Sequence, residues 1–315
     1  MSSAAYLRAF GSYVPEHLVD NAALAARTGR TPEVIEKSTG IVARRYAAPD
    51  QSVADLGLAA AQDCLTRAGL DASAVGLILF ASGSSERCFP GPAATLAAKL
   101  GLAATPAIDL PIASAGSLIG MALAADLVAR YGNVLVVAAE IMSRRITDTD
   151  PDTAILFGDG AGACLISSDS GPTPAIARIA GLALYTDGNF AESLTLPHGG
   201  TLAMRGLEVI MQAARKVPRA IADLLAKNNV AAEDVQVFLM HQANRNLLAK
   251  IAKELKVPED RFFSNIASFG NTSSASLLIA ASQWSDSASV TGPVVFAAVG
   301  AGLQWGAVLA VPVAS

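Results

Sequence analysis

The sequence predicts an α/β protein made of two similar halves that share one core. Short, uninterrupted apolar runs such as 134–139 and 294–298 alternate with stretches of helical period, the pattern of strands covered by helices on both faces. The plan also recurs along the chain. Residues 70–80, a helix end running into a strand, are answered by 230–240, with Val75 matching Val235. The turn at Ser114, leading into Leu118, has its counterpart at Asn271, leading into Ser276, and strand 134–139 is answered by 294–298. Three matches in the same order indicate a duplicated unit.

Each element has a local reason. A helix over 52–68 opens at Ser52 as N-cap and carries Val53, Leu56, Ala60 and Cys64 on one stripe. The segment Ile108–Ser117 ends a strand and opens an almost wholly apolar, hence central, helix. Gly158-Asp159-Gly160-Ala161-Gly162 lacks the Lys-Ser or Lys-Thr of a phosphate loop and precedes an apolar strand, so it reads as a tight turn. Ser168–Pro174 is the expected link, dividing the chain into halves 1–170 and 171–315. A helix near 204–227 repeats Leu207, Ile210, Ala214, Val217, Ile221 and Leu224, and Pro218 is expected to kink it by removing a backbone donor. Residues 293–315 carry no formal side-chain charge, yet Pro293, Gly300, Gly302, Gln304, Gly306 and Pro312 interrupt them. Two buried strands around a glycine turn fit that run better than a membrane span.

The chain has 315 residues, 52% of them hydrophobic and only 16% charged, which excludes disorder and allows a large core. A formal net charge of −4 gives no nucleic-acid footprint. No basic region followed by an apolar stretch opens the sequence, so no secretory signal and no membrane association are expected. Cys64, Cys88 and Cys164 show neither a CxxC pair nor metal-ligand spacing. Cys64 and Cys164 read as buried core, Cys88 as a loop residue, and a reducing cytoplasm is expected.

Three positions could carry chemistry. Ser114 is either an ordinary helix N-cap or a nucleophile at a helix N-terminus, where free N–H groups and the positive dipole end can hold an acyl oxygen. His241 follows the strand Val237–Met240, and the carboxyl edge of buried strands is where α/β proteins place ligands. Asn271 is either a turn residue or, from its place in the repeat, a partner of Ser114. His198, in a loop with Gly199 and Gly200, could be a second base, which a hydroxyl nucleophile needs. His17 has no supporting context. No metal site is expected.

The chain resembles β-ketoacyl-acyl carrier protein synthase III, of the thiolase-like superfamily, along essentially its whole length. The resemblance rests on Gly11–Glu16, Ser38–Ile41, Phe157–Gly162, His241-Gln242-Ala243-Asn244, Gly270-Asn271-Thr272-Ser273 and Gly300–Gly306. It implies a five-layer αβαβα fold, a homodimer, and a catalytic Cys, His and Asn at positions matching Ser114, His241 and Asn271. It further implies an oxyanion hole from the amides of Ser114 and Ala301, and an aromatic residue, here Phe89, reaching the partner's pocket. In the family the cysteine takes an acyl group from coenzyme A. Malonyl on the carrier protein then loses CO2, and the resulting carbanion attacks the acyl-enzyme. His and Asn donate to the thioester oxygen as charge develops. No cofactor is implied beyond acyl-CoA or acyl-carrier protein as substrate.

Two departures bear on the chemistry. A helix dipole worth about 0.3–2 kcal/mol helps a thiol ionise but leaves a hydroxyl protonated, so Ser114 needs a base, His241 or His198. Superfamily members that select polyketide starter units include some with such a serine. The family's Trp and Arg that stack on the adenine of coenzyme A correspond to Val34 and Pro151, and a nearby Arg position is Ser38. These favour a carrier-protein donor or a different grip on CoA. Arg215, Lys216, Arg219, Arg245, Lys250 and Lys253 form a basic cluster that could receive an acidic carrier protein, or simply a solvated surface.

The leading expectation is a synthase III-like acyltransferase that loads an acyl group on Ser114 and passes it to a carrier-protein thiol or a malonyl-derived carbanion, in fatty acid or polyketide biosynthesis. Its rivals are a Cys-to-Ser variant of a condensing synthase made to trap ligands, and a non-catalytic partner subunit of the same fold.

Overall fold

The computed structural model describes residues 4–168 and 174–313. The expected boundary after residue 170, and the expected link apart from Ser168 and Pro174, lie outside the described residues. The first half runs β1 (Tyr6–Tyr13), β2 (His17–Asp20), α1 (Asn21–Thr28), α2 (Pro32–Thr39), β3 (Ala43–Tyr46), α3 (Val53–Ala68), β4 (Leu77–Ala81), α4 (Pro92–Lys99), β5 (Ala107–Leu110), α5 (Gly116–Tyr131), β6 (Asn133–Glu140), α6 (Pro151–Ala154) and β7 (Gly160–Ser167). The second runs β8 (Ala177–Thr186), β9 (Leu194–Thr195), β10 (Ala203–Met204), α7 (Gly206–Lys227), β11 (Val237–Met240), α8 (Arg245–Leu255), β12 (Phe262–Phe263), α9 (Ile266–Phe269), α10 (Ser276–Ser287), β13 (Val294–Gly300) and β14 (Gln304–Val311).

The repeat seen in the sequence is a repeat of topology. One sheet has the order β5-β4-β6-β7-β1 and the other β12-β11-β13-β14-β8, which is the same order within each half. In both, the first three strands are parallel and the last two join antiparallel. The sheets meet edge to edge where Tyr6 and Leu7 of β1 pair with Arg178 and Ala177 of β8.

Three apolar clusters define the layers. Leu118 and Met121 of α5 and Leu277 and Leu278 of α10 pack between Leu79 and Val136 of one sheet and Leu239 and Phe296 of the other. α3 and α4 cover the outer face of the first sheet, and α7 and α8 that of the second. The result is the expected αβαβα arrangement, with α5 and α10 in the middle.

Helix α3 shows how closely these layers fit. Ser52 caps it in a full capping box with Asp55, and Gly69 in the left-handed region ends it. A Cβ on Gly11 of β1 would lie 2.3 Å from the Cys64 amide nitrogen, so the helix backbone rests on the strand itself. Helix α7 continues as one element through the buried Pro218, the residue expected to kink it. The terminal apolar run is β13 and β14, antiparallel about a glycine turn, and no helix among the described residues is long and apolar enough to cross a membrane.

Candidate active site

The carboxyl ends of β5 and β11 deliver Ser114 and His241 to one place, and α5 and α10 begin beside them. Ser114 has φ 63°, and the Ala115 amide donates back to the Ala113 carbonyl at 2.7 Å, closing a γ-turn centred on Ser114. Such a conformation costs a non-glycine residue about 1–3 kcal/mol and is typical of functional positions. Ser114 is not the N-cap. That position is Ala115, and no side chain caps α5. The Ser114 hydroxyl, in a residue 6% exposed, has no hydrogen-bond partner among the described residues.

Ser273 ties the site together, and sequence reasoning missed it. Its Oγ accepts the Ser114 N–H at 3.0 Å, and its N–H donates to Asn271 Oδ1 at 2.9 Å. Its carbonyl accepts the Ser276 hydroxyl at 3.0 Å. Ser276 Oγ lies 2.6 Å from His241 Nδ1 and also accepts the Gln242 N–H. Because the Ser276 proton is committed to Ser273, His241 Nδ1 is assigned as the donor and Nε2 keeps a lone pair. Burial holds the His241 imidazole down to about 4, so it is neutral at pH 7. Asn271 accepts through Oδ1, which leaves its NH2 as a donor for an acyl oxygen.

Ser273 in turn donates to Glu140 Oε1 at 3.0 Å. Glu140 ends β6, is fully buried, and has no cationic partner among the described residues. It is held instead by the amides of Gly83 and Ser84 at 2.9–3.1 Å and the Ser84 hydroxyl at 2.5 Å. A polar residue closing the apolar run 134–139 was the available sequence signal for it. Ser273, like Ser114, has a positive φ, 48°.

The Gly300–Ala301 turn presses on the same place. A Cβ on Gly300 would fall 2.1 Å from the Ala113 carbonyl oxygen, so only glycine lets β13 end against the Ser114 turn. Of the two expected oxyanion-hole amides, that of Ser114 is already bonded to Ser273 Oγ. It must exchange that bond to serve an oxyanion.

Other expectations are redirected. His198 Nδ1 lies 3.1 Å from Cys88 Sγ on the exposed surface, so its partner here is a thiol and not Ser114. Phe89 is 87% exposed. Lys216 leaves the basic cluster. It pairs with Asp187 at 2.5 Å and lies over the Phe190 and Trp305 rings, with only 10% of its side chain exposed. Arg245 packs over Gly40, while Lys253 is exposed on α8. Arg215, Arg219 and Lys250 border a groove of about 590 Å³ between α7 and α8, beside Leu207 and Met211, with Glu254 at its edge. Asp159 of the glycine turn is structural, accepting from the Ala47 and Ser143 amides and the Ser143 hydroxyl. Among the described residues no group of three side chains is placed to hold a metal.

Residues 108–188 match the family 3-oxoacyl-[acyl-carrier-protein] synthase III, and residues 225–311 match its C-terminal part. A β-ketoacyl-[acyl-carrier-protein] synthase III of Oleidesulfovibrio alaskensis is 36% identical over 98% of this chain and 99% of its own. The chain belongs to the synthase III family. It is similar to the solved synthase III of Pseudomonas aeruginosa PAO1, with a TM-score of 0.91 and 32% identity over 99% of both chains. It is also similar to the priming β-ketosynthase of the R1128 polyketide pathway, with a TM-score of 0.89 and 30% identity over 98% of this chain and 96% of that one. As a synthase III it is an acyl-transferring, condensing enzyme with the thiolase-like α/β fold.

Proposed function

We propose that this synthase III carries its acyl group on Ser114, where the family resemblance places a cysteine. The observation that carries the reading is the Ser114 γ-turn, with its hydroxyl uncommitted at the uncapped N-terminus of α5. The hydroxyl oxygen attacks the thioester carbonyl of acyl-CoA or acyl-carrier protein while His241 Nε2 takes its proton. The proton then leaves with the departing thiolate, and an oxygen ester remains on Ser114. In the second stage a carrier-protein thiol attacks that ester and its proton returns to the Ser114 oxygen, or a malonyl thioester loses CO2, its carbanion attacks, and the departing Ser114 oxygen takes a proton from solvent to reform the hydroxyl. The Asn271 NH2 donates to the acyl oxygen as charge builds.

Val34 is 47% exposed on α2 and Pro151 opens α6, so neither offers a stacking ring or guanidinium for adenine, which favours a carrier-protein donor. The groove bordered by Arg215, Arg219 and Lys250, with Leu207 75% and Met211 62% exposed, suits the acidic, partly apolar helix of a carrier protein. We place the working enzyme in the cytoplasm as a homodimer. Three free cysteines fit a reducing compartment, and exposed Phe89 fits a partner's pocket.

Intact-mass spectrometry over a panel of acyl-CoAs and acyl-carrier proteins tests this directly. The expected adduct maps to Ser114, resists neutral hydroxylamine as an oxygen ester, and is lost in Ser114→Ala. No Ser114 adduct with any donor would leave the partner-subunit reading. The docking face predicts that the pair Arg215→Glu and Arg219→Glu raises KM for the carrier-protein donor at least tenfold. Loading from acyl-CoA should stay unchanged. An equal loss with both donors would remove the groove from the docking role.

A further inference from the structure

Ala301, the second amide expected in the oxyanion hole, stands in the short turn between β13 and β14. One arm of that turn is set by Gly300, pressed against the Ala113 carbonyl. The other arm is held from outside the hairpin. Asp187, the first residue after β8, donates its N–H to the Leu303 carbonyl at 2.9 Å and accepts the Leu303 N–H at 3.2 Å. This reciprocal pair extends the ladder of β8 and β14 beyond Thr186 and Gln304, up to the turn itself. Leu303 is buried, and Ala301 packs against the cluster of Met142, Phe157, Leu194 and Leu202.

Asp187 is fixed in turn by Lys216 of α7. The Lys216 ammonium lies 2.5 Å from Asp187 Oδ2, 4.4 Å from the centre of the Trp305 ring and 4.7 Å from that of Phe190. Trp305 follows Leu303 by two residues and Phe190 follows Asp187 by three, so one cation joins both sides of this pairing to α7. The other carboxylate oxygen of Asp187 accepts the Asn189 N–H and side-chain NH2. Lys216 holds the Asp187 carboxyl below its usual range, so the pair stays charged. Without the ammonium, a partly buried carboxylate would be left beside two rings, and turning toward water would relieve it. The bonds to Leu303 would move with it.

We propose that Lys216 is a positioning residue for acyl transfer, acting through Asp187 and Leu303 to set the Ala301 amide where the acyl oxygen gains charge. The inference rests on the acyl-transfer function proposed above and deepens it. Lys216 thereby has a task distinct from the docking of Arg215 and Arg219, its neighbours on α7. Every group in the linkage belongs to one protomer, and none of them needs an open surface. Removing one oxyanion donor costs about 10²–10³ in rate, so displacing one is expected to cost about tenfold.

The experiment uses the full-length protein, with acetyl-CoA and acetyl-carrier protein as donors and single-turnover loading read by intact mass. Lys216→Met, which keeps the stem between the rings, should slow maximal loading about tenfold with both donors and leave KM for the carrier protein within twofold. Lys216→Arg should restore most of the rate. Asp187→Asn should match Lys216→Met, and the double variant should be no slower than either. Hydrogen exchange should rise at least tenfold at the Leu303 amide in Lys216→Met and stay unchanged in α3. An unchanged loading rate overturns the proposal. So does a loss confined to KM for the carrier protein, which returns Lys216 to the docking face, or faster exchange in α3 as well, which marks a role in stability alone. The same series is measured with Ser114→Cys. Absence of an adduct on Ser114, with loading retained in Ser114→Cys, defeats the serine nucleophile, and the effect of Lys216 is then read in the Ser114→Cys series.

Discussion

Ser114→Cys is expected to raise the rate of acyl loading by about 10²–10⁴, the range by which general-base assistance commonly speeds a reaction and which a thiol does not need. A free thiol near pKa 8.5 is already a few per cent thiolate at pH 7, and the N-terminus of α5 lowers it further. A hydroxyl has no comparable anionic fraction. The base it depends on is weak, since burial holds His241 at about 4, roughly three units below neutral pH. Single-turnover loading by quenched-flow mass spectrometry, together with release of CO2 from a malonyl donor, measures the change. An unaltered rate would show that the nucleophile does not limit the reaction. The pH profile follows from the same residue. His241 is neutral above about 4, so loading on Ser114 should stay level as pH falls from 8 to 5 and drop as it nears 4. A loss already centred near 6.5 would mean that the working imidazole is solvated.

Glu140→Gln should destabilise the protein by about 3 kcal/mol and cut Ser114 loading about a hundredfold. The carboxylate is surrounded by donors: the amides of Gly83 and Ser84 and the hydroxyls of Ser84 and Ser273. A carboxamide places an NH2 against some of them, and buried donors left without an acceptor cost about 1–3 kcal/mol each. The loss of activity has a separate route. Ser273 would lose the acceptor that orients its hydroxyl, and that hydroxyl holds the Ser114 amide. A shift of about 1 Å at a reacting atom is enough for a hundredfold loss. Urea midpoints measure the first effect, and loading rates under folding conditions the second. Loss of stability with full activity would separate Glu140 from the position of Ser114.

What could be read in the sequence depended on how local its cause was. Ser114 and His241 follow strand-like apolar runs, Asn271 was paired with Ser114 through the repeat, and the family resemblance joined the three. The capping box of α3 and the strands of the last twenty residues are equally local. Ser273 and Glu140 were missed because a serine or glutamate acquires such a role only through partners more than 130 residues away. Lys216 was assigned to the surface for the same reason, since Asp187 and Trp305 claim it from distant elements. His198 was read as a second base for the Ser114 hydroxyl, but the fold sets it 3.1 Å from Cys88 Sγ, a contact that spacing could not reveal. Pro218, read by its missing donor, sits inside a helix that continues past it.

Ser114 and Ser273, each at a backbone bend of positive φ, lie one in each half. The second acts as a bracket that fastens the first one down, its hydroxyl holding the Ser114 amide. Neither half can be redesigned alone, because the reactive group of one is bolted to the other.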